Sequence, residues 1–397
     1  MSTVREIFAE YGPAYLKTFS EHIPSHHRKV IRAIIDCRTE RMGTIFYQCQ
    51  SCGKAIELFR SCGNRHCPTC QHEKASQWLE RRLEQLLPVH HFMITFTVPG
   101  ALRDFIRANG RTAYAALFHA SSRTLKLLAS EHTYFEGDLP GFFGVLHTWG
   151  RQMHFHPHIH YIVPGGASSA QDHSWHASPQ TFYLPVRIMS KMVKSLFFRQ
   201  MKKAGFLSQI PQELWQQDWN VHSQAVGTGT RSIRYLASYV FRTAISDSRI
   251  IAIDQGYVRF RYADTRTATT KIMRLSAFEF IRRFLQHVLP TGFMKIRYYG
   301  FLNPCSRIPL DLAITLLEAW AGVRAASVPN NTQHSSWPFC PDCNGLIRFR
   351  YFVPPRAFVS SGFLRGGSQF NPVDLQLPEC IVDQCSHATG HDAPARD

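Results

Sequence analysis

The residues able to do chemistry concentrate in two short stretches. The first is His154-Phe155-His156-Pro157-His158-Ile159-His160, which runs into Tyr161-Ile162-Val163-Pro164-Gly165-Gly166. Side chains alternate between faces along a β-strand, so His158 and His160 share a face while Ile159 anchors the strand in a core. Two imidazoles on one face form a metal clamp. His156 falls on the same face and offers the third ligand, ahead of His154 and His147. The second stretch is Ser232-Ile233-Arg234-Tyr235-Leu236-Ala237-Ser238-Tyr239-Val240-Phe241-Arg242. Its tyrosines, at i and i+4, stack on one side of a helix. A phenol with a pKa of about 10 is a weak nucleophile until a metal or base assists it. Magnesium or manganese on the histidines would polarise a phosphate, so the two stretches together suit phosphodiester transfer through a phosphotyrosine. Arg234 and Arg242 flank the tyrosines, and planar guanidinium groups grip phosphate bidentately.

The blander reading of each motif is core packing. A tyrosine pair at helical spacing usually packs one helix face, and a single strand histidine is usually a hydrogen-bonded core residue. Four histidines in alternation followed by Pro-Gly-Gly shift the balance to metal binding.

Cysteine supplies a second kind of metal site. Of eleven cysteines, six fall between residues 37 and 70. No export signal is visible at Met1-Ser2-Thr3-Val4-Arg5-Glu6, and the reducing cytosol disfavours a disulfide framework. Cys49-Gln50-Ser51-Cys52 and Cys67-Pro68-Thr69-Cys70 are paired C-x-x-C knuckles at zinc-ribbon spacing, which makes Cys49, Cys52, Cys67 and Cys70 the expected structural zinc ligands. Cys62 and His66, together with Cys37, are surplus donors that could replace one of these or build a second site. Cys340-Pro341-Asp342-Cys343 is a lone knuckle that Cys380, Cys385, His387 or His391 could complete.

Charge narrows the partner. Lys plus Arg exceed Asp plus Glu by 45 to 28, a net +17 spread along the chain, and aromatic residues make up 13%. Such a balance points to a polyanion, with nucleic acid foremost. The hydrophobic share of 44% is that of a globular protein, and no apolar run reaches bilayer length, so no membrane partner is expected. A cytosolic protein is the expectation.

These motifs need a frame. Residues 1–36 read as short helices, and 37–88 as the zinc ribbon with a following helix at Glu73–Leu87. A strand is expected at His91–Val98, a long helix at 101–130, and strands at Phe142–Trp149 and Met153–Val163. A loop should cover Ala167–Pro179. Val186–Ala204 reads as a basic helix, with Lys191 and Lys194 as DNA contacts and Phe197, Phe198 and Phe206 as interleaved aromatics for stacking bases. The tyrosine helix spans about 230–245. Three β-rich segments, a helix at Ala277–Leu289, a polar linker at Ser327–Ser336 and a disordered tail from about 356 complete the chain. Strands and helices mix without a βαβ rhythm, so the expected class is α+β: an antiparallel sheet carrying the histidines centrally, with flanking helices and an N-terminal zinc ribbon. The catalytic region is expected at 89–305, with a helix and second knuckle at 306–355.

The histidine and tyrosine motifs resemble those of the HUH endonuclease superfamily in its two-tyrosine form, and most closely the rolling-circle-type insertion-sequence transposases of bacteria. The resemblance includes Ser61-Cys62-Gly63-Asn64-Arg65-His66-Cys67-Pro68-Thr69-Cys70, Phe96-Thr97-Val98-Pro99 and His147-Thr148-Trp149-Gly150. It continues through Tyr239-Val240-Phe241-Arg242 and Arg282-Arg283-Phe284-Leu285 to Gly292-Phe293-Met294-Lys295-Ile296-Arg297-Tyr298-Tyr299-Gly300, covering about residues 25 to 305. It implies an HUH-type sheet and a nucleoid-associated enzyme acting on single-stranded DNA at element ends and on target DNA. One tyrosine would take the 5′ phosphate and free a 3′ hydroxyl, and the other would act on the second strand; Tyr239 sits in the more familiar motif. A plasmid relaxase or replication initiator of the same chemistry, and an inactive zinc DNA-binding relative, are the competing readings.

Overall fold

The computed structural model describes residues 3–71, 87, 89–228 other than 132, 135, 136, 138, 170 and 172, then 243–264, 267–306, 309–322 and 339–355. Among these, the chain opens with helices α1 (Val4–Thr18) and α2 (Ser25–Asp36), then strands β1 (Thr44–Cys49) and β2 (Ala55–Phe59). Strand β3 (His90–Thr97), helices α3 (Arg103–Ala108) and α4 (Gly110–Ala129), and strands β4 (Phe142–Trp149) and β5 (Phe155–Pro164) follow. After these come β6 (Gly166–Ser168), β7 (Trp175–Ala177), α5 (Val186–Lys203) and β8 (Asn220–Thr228). The chain then forms β9 (Ile250–Asp254), β10 (Tyr257–Ala263), β11 (Thr270–Ser276), α6 (Ala277–Leu285), β12 (Ile296–Tyr299), α7 (Leu310–Ala321) and β13 (Ile347–Val353). None of the described helices is long and apolar enough to cross a membrane.

The central sheet is antiparallel with strand order β12-β4-β5-β3-β8, so the histidine strand β5 is its middle member. Period-two alternation gives the sheet two unlike faces. Phe92, Ile94 and Phe96 of β3, Leu146 of β4 and Ile159, Tyr161 and Val163 of β5 join one large core with the inner sides of α4 and α5. The ring of Tyr161 lies over β4 at Gly144, where any Cβ would come within 2.5 Å of it, and its hydroxyl meets Ser121 Oγ on α4 at 2.8 Å. Burying seven large apolar side chains at roughly 1.5–3 kcal/mol each makes this face the principal stabiliser of the strand order. The opposite face has only a small apolar patch of Met93, Phe143, Val145 and Ile162, and beyond it the histidines.

A second core joins the chain's beginning to its later part. Val4, Ile7, Phe8 and Ile31 pack with Val258, Phe260, Phe280 and Phe284, and the Phe8 and Phe284 rings meet edge to face at 5.0 Å. The β11-β10-β9 sheet and α6 are thereby held beside the N-terminal helices.

Three expectations change. The loop at 167–179 contains a short hairpin, because Trp175 is buried against Phe301 and holds β7 against β6. Phe197 and Phe198 on the basic helix are buried in the main core with Trp219, so they stack on protein and not on bases. Residues 347–353 form no separate unit: β13 adds to β1 as the outer strand of a β13-β1-β2 sheet. That pairing links residues about three hundred positions apart and leaves no trace in local pattern.

Candidate metal centres and nucleic-acid cleft

The strand register creates the histidine site. His147 of β4 lies directly opposite His158 of β5, and His160 is the next residue of β5 on the same face. One ring nitrogen from each of His147, His158 and His160 lies within 4.8 Å of the others. The rings contact one another, with centroids 4.7 Å apart for His158 and His160 and 4.9 Å for His147 and His160. Each partner fixes a ring's direction. His158 Nδ1 donates to the carbonyl of His156 at 2.7 Å, leaving Nε2 free to ligate. His160 Nδ1 is 2.8 Å from the Thr95 hydroxyl on β3. His147 stacks on Trp149 at 4.8 Å. An outer nitrogen held by a carbonyl or hydroxyl while the other points inward is the usual arrangement of a ligating histidine. Burial pushes His158 down to about 4, so the ring is neutral, the form that binds metal, at physiological pH. The donor set therefore fits a divalent cation.

His156 does not join this group, although it shares the face. Its Nδ1 accepts from the Arg103 guanidinium at 2.8 Å, a bond that turns the ring toward α3. His147 completes the cluster, and sequence reasoning ranked it lower because strand register is not a local property. His147-Thr148-Trp149-Gly150 was nonetheless already conspicuous as a motif. His154 is exposed and lies outside the triad.

The triad opens into a cleft of about 970 Å³ lined also by Thr95, Thr97, Arg151, Arg249, Arg261 and Asp264. Its outer wall is the β9–β11 sheet. Arg249 braces that wall, donating to the carbonyls of Arg151 at 2.6 Å and Arg261 at 2.8 Å. These arginines were missed, because their relation to the histidines arises only when the small sheet folds over the large one. Lys191 and Lys194 lie on α5, which packs on the opposite face of the central sheet, so the structure does not bring them to the cleft. Tyr235, Tyr239, Arg234 and Arg242 lie outside the described residues.

The cysteines sort differently from their spacing. Cys49 and Cys52 do not meet Cys67 and Cys70. Cys37, Cys62, Cys67 and Cys70 form one cluster, and Cys49, Cys52, Cys340 and Cys343 form another. In the first, Sγ–Sγ distances are 3.6 Å for Cys37–Cys70 and Cys62–Cys70 and 3.7 Å for Cys37–Cys67. Four sulfurs tetrahedrally placed about 2.3 Å from a zinc ion stand about 3.8 Å apart, so the spacing fits. Hydrogen bonding from Cys62 holds the Cys67 thiol down to about 5, which favours a thiolate. His66 stands outside this cluster: it is half-buried and its Nε2 accepts from the Leu289 N–H at 3.4 Å. Its neighbour Arg65 donates to the carbonyls of Phe293 and Pro290, so this motif ties the cysteine cluster to the loop before β12.

Comparison with known proteins decides the family. Residues 141–308 match the family model described as "Putative transposase", and residues 7–98 match the "Transposase zinc-binding domain". The chain is 38% identical over 320 residues to "Putative transposase y4qJ" of Sinorhizobium fredii, spanning 76% of this chain and 80% of that protein. This chain belongs to the IS91/IS801 family of insertion-sequence transposases. It is also 28% identical over 290 residues to the transposase for insertion sequence element IS801 of Pseudomonas savastanoi pv. phaseolicola, spanning 69% of this chain and 70% of the relative. No solved structure matches the transposase. DNA is its substrate class, its zinc-binding domain at residues 7–98 contains the Cys37/Cys62/Cys67/Cys70 cluster and supports structural zinc, and the architecture is mixed helix and antiparallel sheet.

Proposed function

We propose that this transposase cuts and rejoins single DNA strands through a 5′-phosphotyrosine, as two-tyrosine HUH endonucleases do, in rolling-circle-type transposition. The observation that carries this reading is the convergence of His147, His158 and His160 on the open face of the central strand, inside an arginine-rimmed cleft. His147, His158 and His160 would hold magnesium or manganese, which when bound neutralises phosphate charge and orients the phosphodiester. Three imidazoles favour manganese of the two.

The chain's own residues supply the rest. Arg151 and Arg261 place positive charge along the rim, where the strand's flanking phosphates would lie. The phenolic oxygen of Tyr239 or Tyr235 attacks phosphorus in line. A Tyr Oη–P bond forms, the P–O3′ bond breaks, and the departing 3′ oxygen takes up a proton. Because the phosphotyrosine retains the bond energy, a 3′ hydroxyl reverses the step without a nucleotide cofactor. The second tyrosine accepts the other strand, which allows alternation.

A purified-protein assay on a labelled single-stranded element end tests the reading. With manganese, His147→Ala, His158→Ala and His160→Ala should each abolish cleavage, and His156→Ala should retain it. Full cleavage by His147→Ala, or loss in His156→Ala with the triad variants active, overturns it. Binding without cleavage by the wild type on verified element ends would favour the inactive DNA-binding reading. The transposase family and the zinc module weigh against a plasmid relaxase or replication initiator.

A further inference from the structure

The second cysteine cluster draws its ligands from two distant parts of the chain. Cys49 and Cys52 belong to the zinc-binding region matched at 7–98, whereas Cys340 and Cys343 lie beyond both matched regions. We propose that Cys49, Cys52, Cys340 and Cys343 form a second structural zinc site, separate from the Cys37/Cys62/Cys67/Cys70 site, that clasps the chain's later segment to its N-terminal ribbon.

Sulfur geometry is the first argument. Cys49 and Cys343 Sγ are 3.4 Å apart and Cys52 and Cys340 Sγ 3.7 Å, and all four lie within 4.8 Å of one another. These spacings approach the roughly 3.8 Å edge of a zinc–thiolate tetrahedron and far exceed a disulfide bond of about 2.05 Å.

Backbone geometry is the second argument and is independent of the sulfurs. Both C-x-x-C segments make the same pair of hydrogen bonds at equivalent positions. Cys49 N–H donates to the Lys54 carbonyl at 2.9 Å, and Cys340 N–H to the Gly345 carbonyl at 2.8 Å. Gly53 N–H returns to the Cys49 carbonyl at 3.1 Å, and Asn344 N–H to the Cys340 carbonyl at 2.8 Å. The residue after each second cysteine is left-handed, Gly53 at φ +74° and Asn344 at φ +54°. Glycine and asparagine are the residues that tolerate this region best. The N–H groups of Ser51 and Cys52 aim at Cys49 Sγ at 3.4 and 3.5 Å, as amides do toward ligating thiolates. Two like knuckles thus face each other.

The surroundings join the same two segments. β13 pairs with β1 from Thr44↔Val353 to Cys49↔Ile347, directly beside the cluster. Lys54 reaches Asp342 at 2.6 Å, linking one knuckle to the other. Cys49, Cys340 and Ile347 are buried together in a small core with Tyr47 and Ile56 around it, too few residues to hold a strand by burial alone. A metal clasp supplies what that core lacks.

Metal content of the full-length protein tests the site. Zinc per chain is read by native mass spectrometry and by thiol-specific release, with thiols counted in parallel. Cys340→Ser/Cys343→Ser should lose one zinc equivalent, Cys37→Ser/Cys62→Ser one, the combined variant two, and Cys380→Ser/Cys385→Ser none. Zinc content unchanged in Cys340→Ser/Cys343→Ser, loss of both equivalents at once, or oxidised thiols without zinc in the wild type would overturn the proposal. Should the serine variant fail to fold, Cys343→His keeps a donor. Its cobalt-substituted form should show one of two thiolate sites with a blue-shifted d–d band, and an unmoved band would refute the assignment.

Discussion

Thr95→Val separates metal positioning from fold. Thr95 sits opposite His160 in the β3–β5 ladder, and its hydroxyl is 2.8 Å from His160 Nδ1. Valine has nearly the same shape and favours strands, so the ladder and the core on the other face should survive. What is lost is the bond that fixes the direction of the His160 ring beside His147 and His158. Loss of such an outer partner typically lowers metal affinity 10–100-fold, or about 1.4–2.7 kcal/mol. Thr97, opposite His158, serves as the control, because His158 Nδ1 is already held by a backbone carbonyl that no substitution removes. The assay is strand cleavage against manganese concentration. Thr95→Val should raise the half-saturating manganese 10–100-fold and recover near-normal cleavage at saturation, while Thr97→Val stays within about twofold. An unchanged half-saturation in Thr95→Val, or a loss that excess manganese does not restore, would refute the role given to the Thr95–His160 bond.

Three further outcomes follow from the same geometry. Because the proposed catalytic site presents three imidazoles, manganese should support cleavage at concentrations at least about tenfold below magnesium; equal potency would argue that the histidines are not the ligands. Burial holds His287 and His91 down to about 4, so the folded state leaves them neutral where the unfolded chain, at about 6.5, takes up protons. Stability is then complete above pH 6.5 and falls as pH drops toward 4, by about 2 kcal/mol per histidine at pH 5 at most, measured by urea unfolding; a flat profile from pH 7 to 5 would show that these rings charge within the fold. Arg65→Lys cannot span the carbonyls of Pro290 and Phe293 with one ammonium, and it should cost about 2–3 kcal/mol in unfolding free energy, with a change below 0.5 kcal/mol counting against the tie.

What the sequence made legible divides along a physical line. The placement of His158 and His160 on one face of a central strand followed from a period of two and one intervening isoleucine, both local properties. The helical stretches at 101–130 and Val186–Ala204 were legible too, and the structure forms α3, α4 and α5 there. His147 could not be ranked from sequence, because its place depends on the register between β4 and β5. The cysteines misled for the same reason. C-x-x-C spacing marked each knuckle as a unit, but the grouping of Cys49 and Cys52 with Cys340 and Cys343 rests on a strand pair formed by residues far apart. On α5 the interleaving of Phe197 and Phe198 with basic residues read as a base-stacking surface, and only the packed sheet shows that these rings belong to the core. Arg151, Arg249 and Arg261 gave no sequence signal, since two sheets must meet before they share a cleft.

The most direct measurement of the phosphotyrosine mechanism is a covalent trap. Full-length protein, manganese and a single-stranded element end labelled 3′ of the expected cut are quenched in SDS, digested with protease, and the labelled peptide is sequenced by mass spectrometry. The mechanism predicts a 5′-phosphate ester on Tyr239 or Tyr235, absent without metal, absent in Tyr235→Phe/Tyr239→Phe and absent in His158→Ala. Cleaved DNA with no protein attached, or an adduct on any other residue, would contradict it.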